Sequence, residues 1–180
     1  MFAKIRNSAC EEPLVAAALA VALGGMATIL GAWFFQYVLH YQPCPLCLEQ
    51  RLPYYIAIPL AVLVAAMARS QPAAARLGLW LIALVMLWSA GLGVYHAGIE
   101  WKLWAGPQEC SGTPGIGNAG DLLSRIQIEH IVRCDAAAWR FLGISLAGYN
   151  ALISLALAAI AAAGAWPGKR RAYGSSSVSQ

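Results

Sequence analysis

Charged residues are scarce in this sequence. Asp, Glu, Lys and Arg make up 11% of the 180 residues, whereas hydrophobic residues make up 60%. Soluble domains carry about 25% charged residues, so the composition excludes a water-soluble globule, and it excludes intrinsic disorder, which requires low hydrophobicity. The net charge of +4 is spread over separate segments and forms no basic stripe, which argues against nucleic-acid binding.

Four long apolar runs lie between the few charges. About 20 helical residues cross the hydrocarbon core of a bilayer; three runs reach this length alone, and the second reaches it by beginning near Cys44. The sequence therefore predicts an all-α membrane protein in the lipid bilayer, in which residues 1–180 form a single four-transmembrane-helix bundle. The spans are expected at approximately 14–37, 46–67, 77–99 and 141–166.

Proline and small residues predict details of packing. Pro53 and Pro59 lie in the second span and predict a kink there, because proline removes a backbone donor from the helix. Pairs of small residues four positions apart allow two helix backbones to approach closely. Such pairs are Ala27 with Gly31 and Gly143 with Ala147.

Lys and Arg are distributed unevenly along the chain. Cytoplasmic loops carry an excess of these residues, and seven of the 12 lie in the N-terminus, in the loop between the second and third spans, or in the tail 168–180. We therefore expect both termini in the cytoplasm and the first span to remain as an anchor. The tail is expected to be disordered.

The longest stretch outside the spans is 100–140, which this orientation places as a loop on the opposite side of the membrane. Its middle is rich in Gly and is typical of a flexible loop. A short interfacial helix over 122–132 is expected in the second half of the loop. The apolar positions there also fit the period of a strand, so the pattern leaves this point open.

The five cysteines are informative through their positions relative to the membrane. Cys10 is expected on the cytoplasmic side, where thiols stay reduced, as an unpaired residue. Cys44, Cys47, Cys110 and Cys134 fall on the opposite side, an oxidising compartment if this is a bacterial envelope protein. Cys44 and Cys47 form a C-x-x-C motif at the head of a helix, and the other two bracket the flexible loop. Four cysteines allow three pairings.

Three hypotheses compete for these four cysteines. Structural disulfides would rigidify the outer loops, but a C-x-x-C ring constrains little chain. A zinc site would use four thiolates, although the second pair lacks the short spacing of structural zinc sites. A redox relay is favoured, because a helix N-terminus and a C-x-x-C motif both lower thiol pKa values. Arg51 follows Cys47 by four residues and is expected on the same helix face.

A relay must deliver its electrons to an acceptor. The sequence contains no nucleotide or flavin fingerprint, no C-x-x-C-H haem attachment motif and no cluster of iron ligands. We therefore expect a lipid-soluble acceptor, a membrane quinone, beside the C-x-x-C. Arg51 and Gln36 are candidate partners for its carbonyl oxygens; for Gln36, an interfacial side chain bonded to water is the alternative.

Several runs together resemble a known family. They are Trp33-Phe34-Phe35-Gln36, Pro43-Cys44-Pro45-Leu46-Cys47, Gln50-Arg51, the residues Cys110 and Cys134, and Trp139-Arg140-Phe141-Leu142-Gly143. In this order they closely resemble the DsbB family of quinone-dependent thiol oxidases, over roughly residues 14–165. The C-x-x-C after the first span, followed by a cysteine pair between the third and fourth spans, is the specific feature.

The resemblance implies a relay of two disulfides. The Cys110–Cys134 disulfide would be attacked by a reduced thioredoxin-like oxidase of the DsbA type in the periplasm, with Cys110 as the site of the mixed disulfide. Electrons would then move to the C-x-x-C through a transient Cys44–Cys134 bond and leave from Cys47. A mobile loop suits such exchange.

The resemblance also implies a location and a cofactor. The protein would lie in the bacterial inner membrane with its redox cysteines facing the periplasm, and ubiquinone or menaquinone would accept the electrons. A histidine or glutamate near the outer end of the third span assists the quinone in this family, and both His96 and Glu100 are candidates. His40 and His130 are expected to be surface residues.

Two alternatives remain from the sequence. A vitamin K epoxide reductase-like protein is also a small helical bundle with a C-x-x-C, but in that family the loop pair comes before the motif, whereas here Cys44 precedes Cys110. The chain could instead be a non-catalytic membrane protein with structural disulfides or zinc. No resident metal is expected in the relay.

Overall fold

The computed structural model describes residues 2–107 and 134–167, with side chains from Glu12 onward. Four helical segments in this part are long and apolar enough to cross a membrane: Glu12–Val38, Pro45–Met67, Pro72–Glu100 and Leu146–Ala165. The all-α, four-transmembrane-helix architecture is therefore confirmed. The interfacial helix predicted over 122–132 and the tail 168–180 lie outside the described residues.

The first span changes its helical geometry at its outer end. Helix α1 (Phe2–Trp33) continues as a π-helix (Phe34–Val38), in which the N–H of Leu39 bonds the carbonyl of Phe34, five residues back. Such π-turns are rare in proteins, and those that occur are often found at functional sites. The span ends at Val38, and His40, two residues later, is exposed and has a positive φ of 57°. Gln36, in the centre of the π-helix, is half-buried.

The second span is interrupted near its outer end. A short helix α2 (Pro45–Glu49) precedes α3 (Leu52–Met67), and Gln50 and Arg51 form the turn between them. The predicted irregularity is present, but it lies just before Pro53, which opens α3 where a missing N–H costs nothing; α3 continues through Pro59.

A hairpin precedes the fourth span. Strands β1 (Arg140–Phe141) and β2 (Ile144–Ser145) pair antiparallel, and both turn residues, Leu142 and Gly143, have positive φ, as a two-residue type I′ turn requires. The Ser145 side chain then accepts a hydrogen bond from the Gly148 N–H and caps α5 (Leu146–Ala165). The fourth helix thus begins at Leu146, whereas the apolar run begins at Phe141, because the hairpin and its cap use the first residues of that run.

Helix α4 (Pro72–Glu100) packs closely against α5 through a glycine. A Cβ atom at Gly93 would lie 2.8 Å from the backbone nitrogen of Ala151, so only glycine permits this approach. The two glycines expected to provide close packing, Gly31 and Gly143, have no atoms within 4 Å of such a Cβ. That packing prediction is wrong at both, because Gly31 faces a cavity and Gly143 lies in the hairpin turn.

Candidate functional site

Cys44 and Cys47 lie at the N-terminus of α2. Cys44 is the N-cap residue, and its sulfur accepts a hydrogen bond from the Cys47 N–H at 3.3 Å. The two Sγ atoms are 2.7 Å apart and both thiols are free. Hydrogen bonding to the Cys47 side chain, and secondly burial, raise the pKa of the Cys44 thiol. As whole residues, Cys44 is buried and Cys47 is half-buried.

Cys134 lies beside this pair. It is buried and disulfide-bonded, and it forms one apolar cluster with Cys44, Leu46 and Ile99, against which Cys47 packs. The fold therefore brings a loop cysteine to the C-x-x-C motif although 87 positions separate it from Cys47 in the sequence. Cys110 and His130, and the side chain of Cys10, lie outside the described residues, so their predicted roles stay predictions.

A cavity of about 560 Å³ opens next to Cys47. The cavity contains both residues predicted for a quinone: Arg51 and Gln36 line it, and the Arg51 Nη1 donates a hydrogen bond to the Gln36 Oε1 at 2.6 Å. Most of the wall is apolar. The lining residues are Ala27, Thr28, Ile29, Gly31, Ala32, Phe35, Gln36, Tyr41, Gln42, Pro43, Cys47, Gln50, Arg51, Tyr54, His96, Ala138, Trp139, Phe141, Leu146, Ala147, Tyr149, Asn150 and Ile153.

Aromatic rings form part of this wall. The ring of Trp139 lies 5.2 Å from that of Phe35 and stacks on that of Phe141 at 5.8 Å, with an interplanar angle of 6°. Hydrophobic and aromatic side chains are typical of the walls of small-molecule pockets. The hairpin strand β1 supplies Phe141, which links the loop after Cys134 to the cavity.

His96 and Glu100 both lie near the C-x-x-C, but they differ in their relation to the cavity. The His96 Nε2 is 3.7 Å from the Cys44 Sγ and 3.8 Å from the Glu100 Oε1. Both side chains are buried, and only His96 lines the cavity. Among the residues that the structure describes, none gives the buried Glu100 Oε2 a hydrogen-bond partner. The geometry therefore brings His96 to both the cysteine pair and the cavity, and Glu100 to His96.

A polar network that the sequence analysis did not single out extends from His96 into the bundle. The Gln50 side chain contacts the His96 Nδ1 at 2.6 Å and accepts a hydrogen bond from Asn150 at 2.8 Å. Asn150 in turn accepts from the Tyr54 hydroxyl at 2.8 Å. Ser154 and Ser89 continue the chain of hydroxyls at 2.8 and 2.9 Å. The available signal was the rarity of polar side chains inside apolar spans, where they mark functional sites.

Cys44, Cys47 and His96 also satisfy the distance criterion for a metal site, since their ligand atoms lie within 4.8 Å of one another. A four-thiolate zinc site is not compatible with the structure, because Cys134 is disulfide-bonded and cannot serve as a thiolate ligand. In a metal site the second nitrogen of a histidine ligand usually donates to an acceptor. In this structure the second nitrogen of His96, Nδ1, lies 2.6 Å from the side-chain amide nitrogen of Gln50.

Comparison with known protein families decides the identity of this arrangement. Residues 15–164 match the family model of the disulfide bond formation protein DsbB. The chain belongs to the DsbB family. This match covers all four spans and the loop between the third and fourth, so the DsbB assignment applies to the whole membrane domain.

Individual relatives agree with the DsbB assignment. The chain is 32% identical to disulfide bond formation protein B of Verminephrobacter eiseniae over 164 residues, which cover 84% of this chain and 88% of the relative. It is 32% identical to the protein of the same name from Albidiferax ferrireducens, over 76% of this chain and 83% of the relative. It is also 31% identical to the uncharacterized protein RP370 of Rickettsia prowazekii, over 70% and 73%. No solved structure matches the chain.

Membership of the DsbB family establishes the general activity. The chain is a multi-pass membrane protein of disulfide bond formation, and the family implies disulfide oxidoreductase chemistry. A non-catalytic role for the cysteines is disfavoured by this assignment. The partner, the electron acceptor and the orientation in the membrane are matters of proposal.

Proposed function

We propose that this protein is a thiol oxidase that reoxidises a periplasmic thioredoxin-like oxidase of the DsbA type and passes the electrons to a membrane quinone. One observation carries the proposal. Of the free pair, Cys47 lines an apolar cavity, and Cys44 belongs to the buried cluster that contains the disulfide-bonded Cys134, against which Cys47 also packs. A carrier of electrons between a protein dithiol and a lipid-soluble acceptor requires such a position.

The first half of the reaction is thiol–disulfide exchange. A thiolate of the partner attacks the Cys110 sulfur of a Cys110–Cys134 disulfide, a mixed disulfide forms, and Cys134 leaves as a thiolate. This thiolate attacks Cys44 of a Cys44–Cys47 disulfide, a Cys44–Cys134 bond forms, and Cys47 leaves with the electron pair. The second thiolate of the partner attacks the partner sulfur of the mixed disulfide, so the partner departs as a disulfide and Cys110 is released as a thiolate. Cys110 then attacks Cys134, which re-forms the Cys110–Cys134 disulfide and leaves Cys44 and Cys47 reduced. The packing of Cys134 against the C-x-x-C supports the transfer from Cys134 to Cys44, because exchange requires direct approach of the sulfurs.

The second half of the reaction takes place at the cavity. A bound quinone would accept two electrons and two protons from the thiols, which become a disulfide. The cavity volume of about 560 Å³ and its aromatic and aliphatic wall suit an apolar ring. Arg51 would bind a ring oxygen and stabilise negative charge there far more than in water, because the site has a low dielectric. Gln36 would orient Arg51 through their hydrogen bond.

The proposed orientation places these residues at the periplasmic side of the bacterial inner membrane. Cys44, Cys47 and Arg51 lie at one end of the second span, and His96 and Glu100 lie at the matching end of the third. The segment with Arg69 and Arg76, between the second and third spans, lies at the opposite end of these spans and would face the cytoplasm. Ubiquinone and menaquinone both fit this proposal.

The test is quinone reduction by purified protein supplied with a reduced thioredoxin-like dithiol protein. We expect oxidation of the dithiol and disappearance of quinone absorbance in a one-to-one ratio, with neither reaction in the matched variant Cys47→Ala. Reduction of vitamin K epoxide at the expense of the dithiol, without reduction of quinone, would favour the epoxide reductase alternative. Stoichiometric zinc in the purified protein without redox turnover would favour a metal site.

A further inference from the structure

We propose that Gln50 and Asn150 are positioning residues for the His96 imidazole. They hold the ring in the tautomer that carries its proton on Nε2, and in this tautomer the ring donates a hydrogen bond to the Cys44 sulfur. The inference rests on the proposed function for its role in exchange, but its structural part stands on the network alone. Both residues act on Cys44 through the ring: Gln50 bonds His96, and Asn150 bonds Gln50.

The groups around the His96 Nε2 determine which partner donates and which accepts in each hydrogen bond of the network. This nitrogen faces the Cys44 sulfur at 3.7 Å and a carboxyl oxygen of Glu100 at 3.8 Å, and the Cys134 backbone also hydrogen-bonds the ring. A backbone carbonyl can only accept, and in the oxidised protein, in which Cys44 would be paired with Cys47, its sulfur has no proton to donate. In that state a neutral ring carries its proton on Nε2.

The remaining bonds follow from that choice. With its proton on Nε2, the His96 Nδ1 is an acceptor, so the amide nitrogen of Gln50 must donate to it at 2.6 Å. The Gln50 carbonyl oxygen then accepts from the Asn150 amide, and the Asn150 oxygen accepts from the Tyr54 hydroxyl. Every donor in this series points from the bundle interior towards Cys44.

The consequence for exchange concerns the departure of Cys44. In the proposed relay, the Cys110 thiolate attacks the Cys134 sulfur of a Cys44–Cys134 bond. The Cys110–Cys134 disulfide forms, the Cys44–Cys134 bond breaks, and Cys44 leaves with the electron pair as a thiolate. The Nε2 proton of His96 is placed to stabilise this charge, as Arg51 is placed beside Cys47 in the cavity. In this arrangement His96 stabilises a thiolate at Cys44, and Arg51 stabilises a thiolate at Cys47.

The test is the protonation state of the His96 ring nitrogens, read by ¹⁵N NMR. The full chain is labelled with ¹⁵N at the histidine rings, oxidised and placed in nanodiscs at mildly alkaline pH. His40→Asn and His130→Asn remove the other two histidines, so that only the two ring nitrogens of His96 are observed. We expect a proton-bearing Nε2 and an acceptor-type Nδ1. In Gln50→Glu the carboxylate requires a donor, so the proton is expected on Nδ1. In Asn150→Ala, Gln50 loses its anchor and a mixture of tautomers is expected.

Gln42→Ala is the matched control, because Gln42 is an amide that lines the same cavity; it should leave the tautomer unchanged. In Asn150→Ala we also expect release of Cys44 from a trapped Cys44–Cys134 bond to slow by roughly tenfold, the factor of about one hydrogen bond. A proton on Nδ1 in the parent protein, or no change in Gln50→Glu, would overturn the proposal. A correct tautomer pattern in a protein that reduces no quinone would instead count against the proposed function alone.

Discussion

The Arg51 Nη1 lies 2.6 Å from the Gln36 Oε1, which joins the outer end of the second span to the π-turn of the first. The guanidinium has five donors in a rigid fork, and this bond uses one of them. Others can therefore face the cavity that Arg51 lines with Cys47.

Replacing Arg51 should impair quinone use and spare exchange with the protein partner. Arg51→Lys retains the charge but loses the planar fork, so we expect a moderately raised quinone KM. Arg51→Ala should reduce quinone kcat/KM by about 10- to 100-fold, the range for a hydrogen bond to a charged group. Single-turnover oxidation of the partner should be preserved. Arg69→Ala, an exposed arginine between the second and third spans, is the control; wild-type behaviour of Arg51→Ala at limiting quinone would contradict the proposed quinone position.

Gln36 should act through Arg51. Gln36→Ala removes the acceptor that holds the guanidinium, so quinone KM should rise, by less than in Arg51→Ala. Because the two residues share one bond, their effects should be non-additive in a double-mutant cycle. Steady-state kinetics of the two single variants and the double variant measure this coupling. Additive effects would show that Gln36 binds independently of Arg51.

The loop pair should be required for partner oxidation. Cys134→Ala or Cys110→Ala removes the disulfide that the partner thiolate would attack, so oxidation of the dithiol protein should be abolished. Cys10→Ala should have no effect, because Cys10 is expected on the cytoplasmic side. Partner oxidation is followed by thiol titration. Full turnover in Cys134→Ala would assign that disulfide a structural role.

The orientation can be tested by thiol accessibility. In reduced, intact spheroplasts, a membrane-impermeant maleimide should label Cys110 and leave Cys10 unlabelled until the membrane is permeabilised. The asymmetry of Lys and Arg is the physical basis of this expectation. Single-cysteine variants analysed by mass shift provide the measurement. Labelling of Cys10 but not of Cys110 would reverse the proposed topology.

The contact between α4 and α5 provides a stability test with an internal control. Gly93→Ala would place Cβ 2.8 Å from the Ala151 backbone nitrogen, so the helices must separate, at a cost of about 1–3 kcal/mol. Gly91, two residues away on α4, has open space where its Cβ would lie, and Gly91→Ala should be neutral or stabilising. Thermal unfolding in detergent compares the two variants. Equal stability would mean that the backbones do not approach as described.

The sequence predicted the fold because long apolar runs have few alternatives in a bilayer. It also predicted that Gln36 and Arg51 would lie near Cys47, since all three fall at one membrane boundary. The network of Gln50 and Asn150 was not predicted, because 100 positions separate these residues and hydropathy does not specify how each helix is rotated about its axis. For the same reason, small-residue spacing indicated Gly31, whereas the close helix contact lies at Gly93.

The hydroxyls of Ser89, Ser154 and Tyr54 join three spans at one depth. Lipid tails are as apolar as the helix surfaces, so apolar faces alone give little preference for one docking arrangement over another. Sliding one helix by a single residue would shift it by about 1.5 Å and rotate it by about 100°, which would separate these hydroxyls. These hydroxyls therefore favour one register of the three helices within the bilayer, and in that register Cys47 lines the cavity.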